Sequence, residues 1–162
     1  MNAVQVRKAQ QEDGSTLLAL IRALAEYERL QPPAPEAEAR LLRDAFGAAP
    51  RYEAYLAELD GEPVGYAIVL ETYSSFLARP TLYLEDLFVR PEARRRGAGG
   101  AMLRHLARLA LERGCGRMEW TVLDWNTLAR DVYRRIGAEE MDGWTTCRLT
   151  GEALRALAGS EQ

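Results

Sequence analysis

The stretch from Tyr83 to Gly100, YLEDLFVRPEARRRGAGG, constrains this chain more than any other. A strand-like run, Leu82 to Val89, ends at Pro91. A basic, glycine-rich turn follows through Arg94, Arg95, Arg96, Gly97, Ala98, Gly99 and Gly100, and a helical pattern then begins. From Ala93 to Leu111 there is no Asp or Glu, although the chain carries a net charge of −3. Acidic side chains ordinarily collect at a helix N-terminus, where free N–H groups and the helix dipole favour negative charge. Here that end is ringed by arginine and floored with glycine. The missing negative charge therefore belongs to a ligand, with phosphate or pyrophosphate the best fit. The plainer reading is an ordinary loop beside a solvated arginine face; the position between a strand and a helix favours the ligand.

Known phosphate loops fit the turn unequally. The P-loop pattern needs a lysine, and Lys8 is the only lysine in the chain. The dinucleotide pattern G-x-G-x-x-G is met at Gly97 and Gly99 but finds Met102 in third place. R-x-x-G-x-G is met in full by Arg94, Gly97 and Gly99.

Composition removes other classes. A chain of 162 residues, 48% hydrophobic and 28% charged, is a single globular domain spanning 1–162. Net negative charge, with no aromatics interleaved among the arginines, argues against a nucleic-acid partner. No apolar run is long enough for a membrane span, and no signal segment is expected. Cys115 and Cys147 are too few for a disulfide framework, and with His105 the only histidine neither a zinc site nor a His-based nucleophile system is expected. A reducing, cytoplasmic setting follows.

Periodicity places the elements. Val4–Ala9 reads as a strand, and residues 15–30 as a helix with Ser15 as N-cap. Pro32, Pro33 and Pro35 break it before a second helix from Glu36 to Phe46. Arg51–Leu59 and Pro63–Thr72 read as strands joined by an Asp60-Gly61 hairpin turn. Thr81–Val89 is the next strand, followed by a helix from Gly99 to Arg113. Then come a strand Arg117–Leu123, a helix from Asn126 to Ile136, a strand Trp144–Leu149 and a helix Gly151–Ala158. This order implies an α+β fold with a mixed sheet, not a doubly wound one.

Taken with VLDWN (Val122–Asn126), VYRRIGA (Val132–Ala138), GW (Gly143–Trp144) and GEALRALAG (Gly151–Gly159), the turn resembles the GNAT superfamily of N-acetyltransferases, whose pyrophosphate signature is R-x-x-G-x-G. Within it the chain is similar to the diamine (spermidine/spermine) acetyltransferases, and most to their thialysine Nε-acetyltransferase type. RALAEYERL (Arg22–Leu30) and FGAAPRYEAYLAE (Phe46–Glu58) extend the resemblance over nearly the whole chain. The Asp60-Gly61 hairpin is shorter than in animal members, and the segment Glu139–Asp142 is shortened too. The loop Thr72–Pro80 carries Ser74, Ser75 and Phe76 where polyamine acetylases have an aspartate followed by a tryptophan, which points toward the thialysine type.

The resemblance implies a mostly antiparallel twisted sheet flanked by helices, acetyl-CoA as co-substrate, no metal, and a homodimer to which C-terminal strands contribute. The strand at Leu87, Phe88 and Val89 would splay from its neighbour and bond the pantetheine arm through its backbone. The turn from Arg94 to Gly100 would hold the pyrophosphate, with Asn126 and Ala129 also on the cofactor. Tyr27, Glu28, Glu85, Glu119, Trp120 and Asp142 would face a small cationic amine. A primary amine with a pKa near 10.4 needs about 4–5 kcal/mol to give up its proton at pH 7. Glu85 would accept that proton, while Asp86, one step along an alternating strand, would face the other way as a structural acid. Tyr133 would protonate the leaving thiolate, with Arg134 and Arg135 lowering its pKa. The rival readings are a transferase for a polyamine, an amino acid or a peptide N-terminus, and a non-catalytic acyl-CoA-binding module.

Overall fold

A computed structural model describes residues 3–159. The chain divides into two compact units, Met1–Thr121 and Val122–Gln162.

The first unit is built on a five-stranded sheet in the order β1-β2-β3-β4-β5. Its strands are β1 (Val4–Lys8), β2 (Glu53–Leu59), β3 (Glu62–Ser74), β4 (Arg79–Val89) and β5 (Arg117–Glu119). The first four are antiparallel neighbours, and β5 joins β4 in parallel, giving the mixed, mostly antiparallel α+β architecture expected. The β2–β3 hairpin turns at Asp60 and Gly61, both at positive φ (53° and 85°), the conformation that an Asp-Gly pair favours.

Helix α1 (Gly14–Tyr27) lies on one face of the sheet. Its Leu17, Leu20 and Ile21 pack with Ala54, Leu56, Tyr66, Ile68 and Phe88. Each buried Leu, Ile or Phe among these contributes roughly 1.5–3 kcal/mol. Helix α3 (Ala98–Glu112) takes the opposite face, burying Met102, Leu103, Leu106 and Ala110, with its His105 ring 5.3 Å from that of Tyr55 on β2. Helix α2 (Pro35–Phe46) opens on a proline at its first turn, where the missing N–H costs nothing.

Two details differ from the sequence reading here. Ser15 lies inside α1, and Asp13 is the residue that precedes the helix, closing a short 3₁₀ turn at Gln11–Asp13. Asp13 is held there by both terminal nitrogens of Arg7, at 2.7 and 2.9 Å, while Arg7 Nε donates to Glu58 at 2.8 Å.

The second unit contains α4 (Thr127–Arg135) and α5 (Gly151–Ala158). The expected strand Arg117–Leu123 stops at Glu119, and Trp144–Leu149 forms no strand among the described residues. Alternation in WTTCRL is a pattern suited to a strand, but a strand exists only where a neighbour satisfies its N–H and C=O groups. No membrane-length apolar helix occurs among the described residues.

Candidate functional site

The basic turn has the geometry of an anion cradle. Gly97 stands at the N-cap of α3 with φ 91°, and Arg95 also adopts a positive φ of 63°, a strained conformation for a residue that carries a Cβ. No side chain caps α3 and no acid lies in its first turn. The first intrahelical bond to this end is Ala101 N–H to the Gly97 carbonyl at 2.9 Å, so the N–H groups of Ala98, Gly99 and Gly100 have no acceptor within the helix. A Cβ on Gly97 would meet nothing within 4 Å, and one on Gly99 would reach only Val89 at 3.8 Å. The cradle is therefore open, and its donors suit a pyrophosphate.

Arg94 plays a different part from its neighbours. Its Nε donates to the Val89 carbonyl at 2.9 Å, and its guanidinium lies 4.4 Å over the Tyr27 ring and 5.8 Å from that of Phe88. It fastens the turn to the end of β4 and to the end of α1. Tyr27 is part of this stack, with its ring 6.2 Å from Phe88.

Strand β4 loses one partner part-way. Its parallel ladder with β5 covers Thr81, Leu82 and Tyr83 only, whereas β3 stays paired as far as Gly65 and Val89. Among the described residues, the β5-side edge of Leu87, Phe88 and Val89 has no ladder in this sheet. Gly65 permits the close approach on the other side: a Cβ there would fall 2.5 Å from the Phe88 carbonyl oxygen.

Within β4 the pairing skips a residue. Val69 faces Leu84 but Ile68 faces Asp86, so Glu85 is the extra residue of a β-bulge. Ala67 pairs with Tyr55, the α3-facing ring, which puts Val69 and Leu84 on the α3 side and Glu85 on the α1 side. Ile68 belongs to the α1 core, so its partner Asp86 faces the α1 side as well. This overturns the expectation that Asp86 points away from Glu85. Alternation counts residues, and a bulge breaks the count.

Asp86 is half-buried and accepts a hydrogen bond from the Tyr66 hydroxyl at 2.8 Å. Burial pushes its carboxyl up, and the charge of Glu85 adds to that, while Tyr66 opposes it. Glu28, just past the end of α1, is raised by burial and then by the charge of Asp86. The Tyr66 and Tyr52 phenols are raised by burial first, Tyr52 to about 12. Three acids and two tyrosines thus share one face of the first unit, and the exposed Glu85 is the carboxylate that solvent reaches. Tyr66 and Asp86 were not singled out as site residues by sequence; the Y-x-I run of a core strand gives no hint of a polar role.

Other expected residues have local duties. Glu119 lies 3.3 Å from Arg117, and Trp120 directly follows β5. The Ser74 hydroxyl accepts from Leu77 N–H at 3.2 Å and shapes the β3–β4 turn. Cys115 is buried, and burial raises its thiol pKa.

In the second unit, Asn126 caps α4: its side-chain oxygen accepts from Ala129 N–H at 3.2 Å. Asn126 and Ala129, both expected on the cofactor, are thus bonded to each other. Tyr133 lies on α4, and its carbonyl accepts from Ala138 N–H at 3.0 Å. Glu140 receives Arg130 at 2.8 and 3.0 Å and Arg134 at 2.9 Å, which hold its carboxyl at about 2. The charge of Arg134, expected to act on Tyr133, is thereby matched by Glu140 and by Asp131 at 3.1 Å. Asp142 lies in the turn that follows, its N–H bonded to the Glu140 carbonyl.

The sequence matches the Acetyltransferase (GNAT) family over residues 18–138. The chain belongs to the GNAT family of acetyltransferases. A thialysine N-epsilon-acetyltransferase of Bos taurus is 40% identical over 98% of this chain and 99% of its own length. Among solved structures, an integron cassette protein from the mobile metagenome of V. cholerae superposes with a TM-score of 0.82 at 24% identity, covering 97% of this chain and 98% of that one. An aminoglycoside N-acetyltransferase solved in complex with CoA gives 0.72 at 22% identity, covering 91% and 95%. The GNAT chain is thus an N-acetyltransferase on the fold shared by these structures, and enzymes of its family take the acetyl group from acetyl-CoA.

Proposed function

We propose that this GNAT enzyme transfers acetyl from acetyl-CoA to a primary amine of a small thialysine- or lysine-like substrate, by direct attack in a ternary complex. The observation that carries the acceptor class is the acidic α1 face of the first unit, where Glu85 stands exposed beside Asp86 and Glu28. Three carboxylates sharing one face favour a cationic acceptor. The 40% identity to a thialysine N-epsilon-acetyltransferase over the full length supports the same reading.

The turn from Arg95 to Gly100 would take the pyrophosphate on its backbone N–H groups, with Arg95 and Arg96 adding charge. The free edge of Leu87–Val89 would take the pantetheine arm as an added strand. Glu85 accepts the proton of the substrate ammonium, directly or through a water. The freed lone pair attacks the thioester carbonyl; the C–N bond forms and the C–S bond breaks. The departing thiolate takes a proton from the Tyr133 hydroxyl, and the second proton, shed by the nitrogen as the amide forms, returns through solvent to the phenolate. No covalent enzyme intermediate forms. Because the family match runs across both compact units, we read them as parts of one transferase domain acting in the cytoplasm. The chain would work as a homodimer, in which the alternating segment 144–149 finds the ladder it lacks within the chain.

Thiol release with Glu85→Gln and Tyr133→Phe tests the chemistry. Loss of about 10²–10⁴ in kcat in each, with acetyl-CoA affinity retained, is the expected result. Full turnover in both would eliminate the mechanism.

A further inference from the structure

We propose that Tyr66 is a positioning residue for acyl transfer: its buried phenol fixes the Asp86 carboxylate on the same face as Glu85, so that the two carboxylates act on one incoming ammonium. The inference rests on Glu85 being the proton acceptor, and it adds a role for two residues that the transfer chemistry above does not use.

The register makes the pair. Without the bulge, Asp86 would sit on the α3 side among Leu84, Val69 and Met102. With it, Asp86 lies opposite Ile68 on the α1 side, adjacent in sequence to Glu85. A carboxylate there needs a donor, because burying a charge without a partner is costly. Tyr66 supplies it from β3 at 2.8 Å, and Tyr66 is itself fully buried, its ring 6.4 Å from Phe88. The groups that act on or are acted on by Asp86 are Glu85 on its own strand, Tyr66 on β3, Glu28 beyond α1 and Tyr52 before β2; Arg94 on this face is stacked on Tyr27 and Phe88. Burial and the charge of Glu85 disfavour the ionised Asp86, and the Tyr66 bond favours it. A cationic amine is the species that would complete the set.

The direction of the effect follows. Removing the phenol leaves burial and Glu85 unopposed, so Asp86 holds its proton to higher pH. The ionised form that meets the ammonium is then lost sooner as pH falls.

The test compares wild type, Tyr66→Phe, Asp86→Asn, the double variant and Glu85→Gln, using thialysine as the amine from pH 5 to 9. In Tyr66→Phe the acid limb of kcat/KM for the amine moves to higher pH. At pH 6 that ratio falls by about tenfold, the scale of one hydrogen bond to a charged group, and KM for acetyl-CoA is unchanged. Adding Tyr66→Phe to Asp86→Asn moves the limb no further. Independently of activity, ¹³C NMR of the Asp86 carboxyl carbon shows titration at higher pH in Tyr66→Phe. Coincident pH profiles and an unchanged Asp86 titration would make Tyr66 a core filler and overturn the inference. Full turnover in Glu85→Gln would instead remove the reading beneath it, whatever the Asp86 carbon shows.

Discussion

Replacing Arg94 by lysine keeps the charge and deletes the geometry, which separates the two roles an arginine in this turn can have. In the structure its Nε–H meets the Val89 carbonyl at 2.9 Å and its planar head covers Tyr27 at 4.4 Å. A hydrogen bond from a charged donor is worth about 1.5–3 kcal/mol. A partly shielded cation–π contact adds about 0.5–2 kcal/mol. The two share one side chain and do not add in full, so a loss of about 2–3 kcal/mol is expected for Arg94→Ala. Lysine recovers little of it, since an ammonium offers no fork and no flat face. At about 2–4 °C per kcal/mol for a chain of this size, Tm falls by about 4–12 °C in both variants. Scanning calorimetry reads the Tm, and titration calorimetry reads acetyl-CoA affinity, which weakens because the turn is no longer fastened to β4. If Arg94 acts only as a charge on the ligand, Arg94→Lys will keep the wild-type Tm and near-normal affinity. That result would refute the fastening role.

Other perturbations follow from the same geometry. Gly65→Ala places a Cβ 2.5 Å from the Phe88 carbonyl oxygen, so it should cost about 1–3 kcal/mol in urea unfolding and raise KM for acetyl-CoA by shifting the end of β4. Asp86→Asn removes a charge that burial disfavours and should raise Tm at pH 7 while lowering amine turnover. Asp13 is held below its ordinary carboxyl value of 3.8, chiefly by its bonds to Arg7. Its contribution is therefore fully present above 3.8 and is lost as pH falls through the lower folded value. Wild type and Asp13→Asn should accordingly differ in urea midpoint at pH 6 and converge toward pH 2.

The elements that sequence revealed best are those fixed by local chemistry. Asp60-Gly61 turns because both residues accept positive φ, and the turn that opens α3 was legible because glycine and arginine replace acids there. What sequence hid depends on neighbours. The bulge at Glu85 arises from the pairing of β3 with β4, and it reverses the side assigned to Asp86. Arg94 looked like one more phosphate ligand, and only the packing of α1 against Phe88 shows where its head goes. Residues 144–149 carry a strand's pattern without a strand's partner. Arg134 seemed poised to tune Tyr133 until Glu140 came into its reach from beyond the helix.

The most direct measurement is thiol release from acetyl-CoA with thialysine, lysine, spermidine, spermine and a peptide amine offered separately. The account predicts turnover concentrated on thialysine or lysine, with kcat/KM for spermidine and spermine lower by at least about tenfold. Equal or greater turnover on the polyamines would contradict the acceptor assignment. Tight acetyl-CoA binding with no turnover on any amine would contradict the proposed reaction itself.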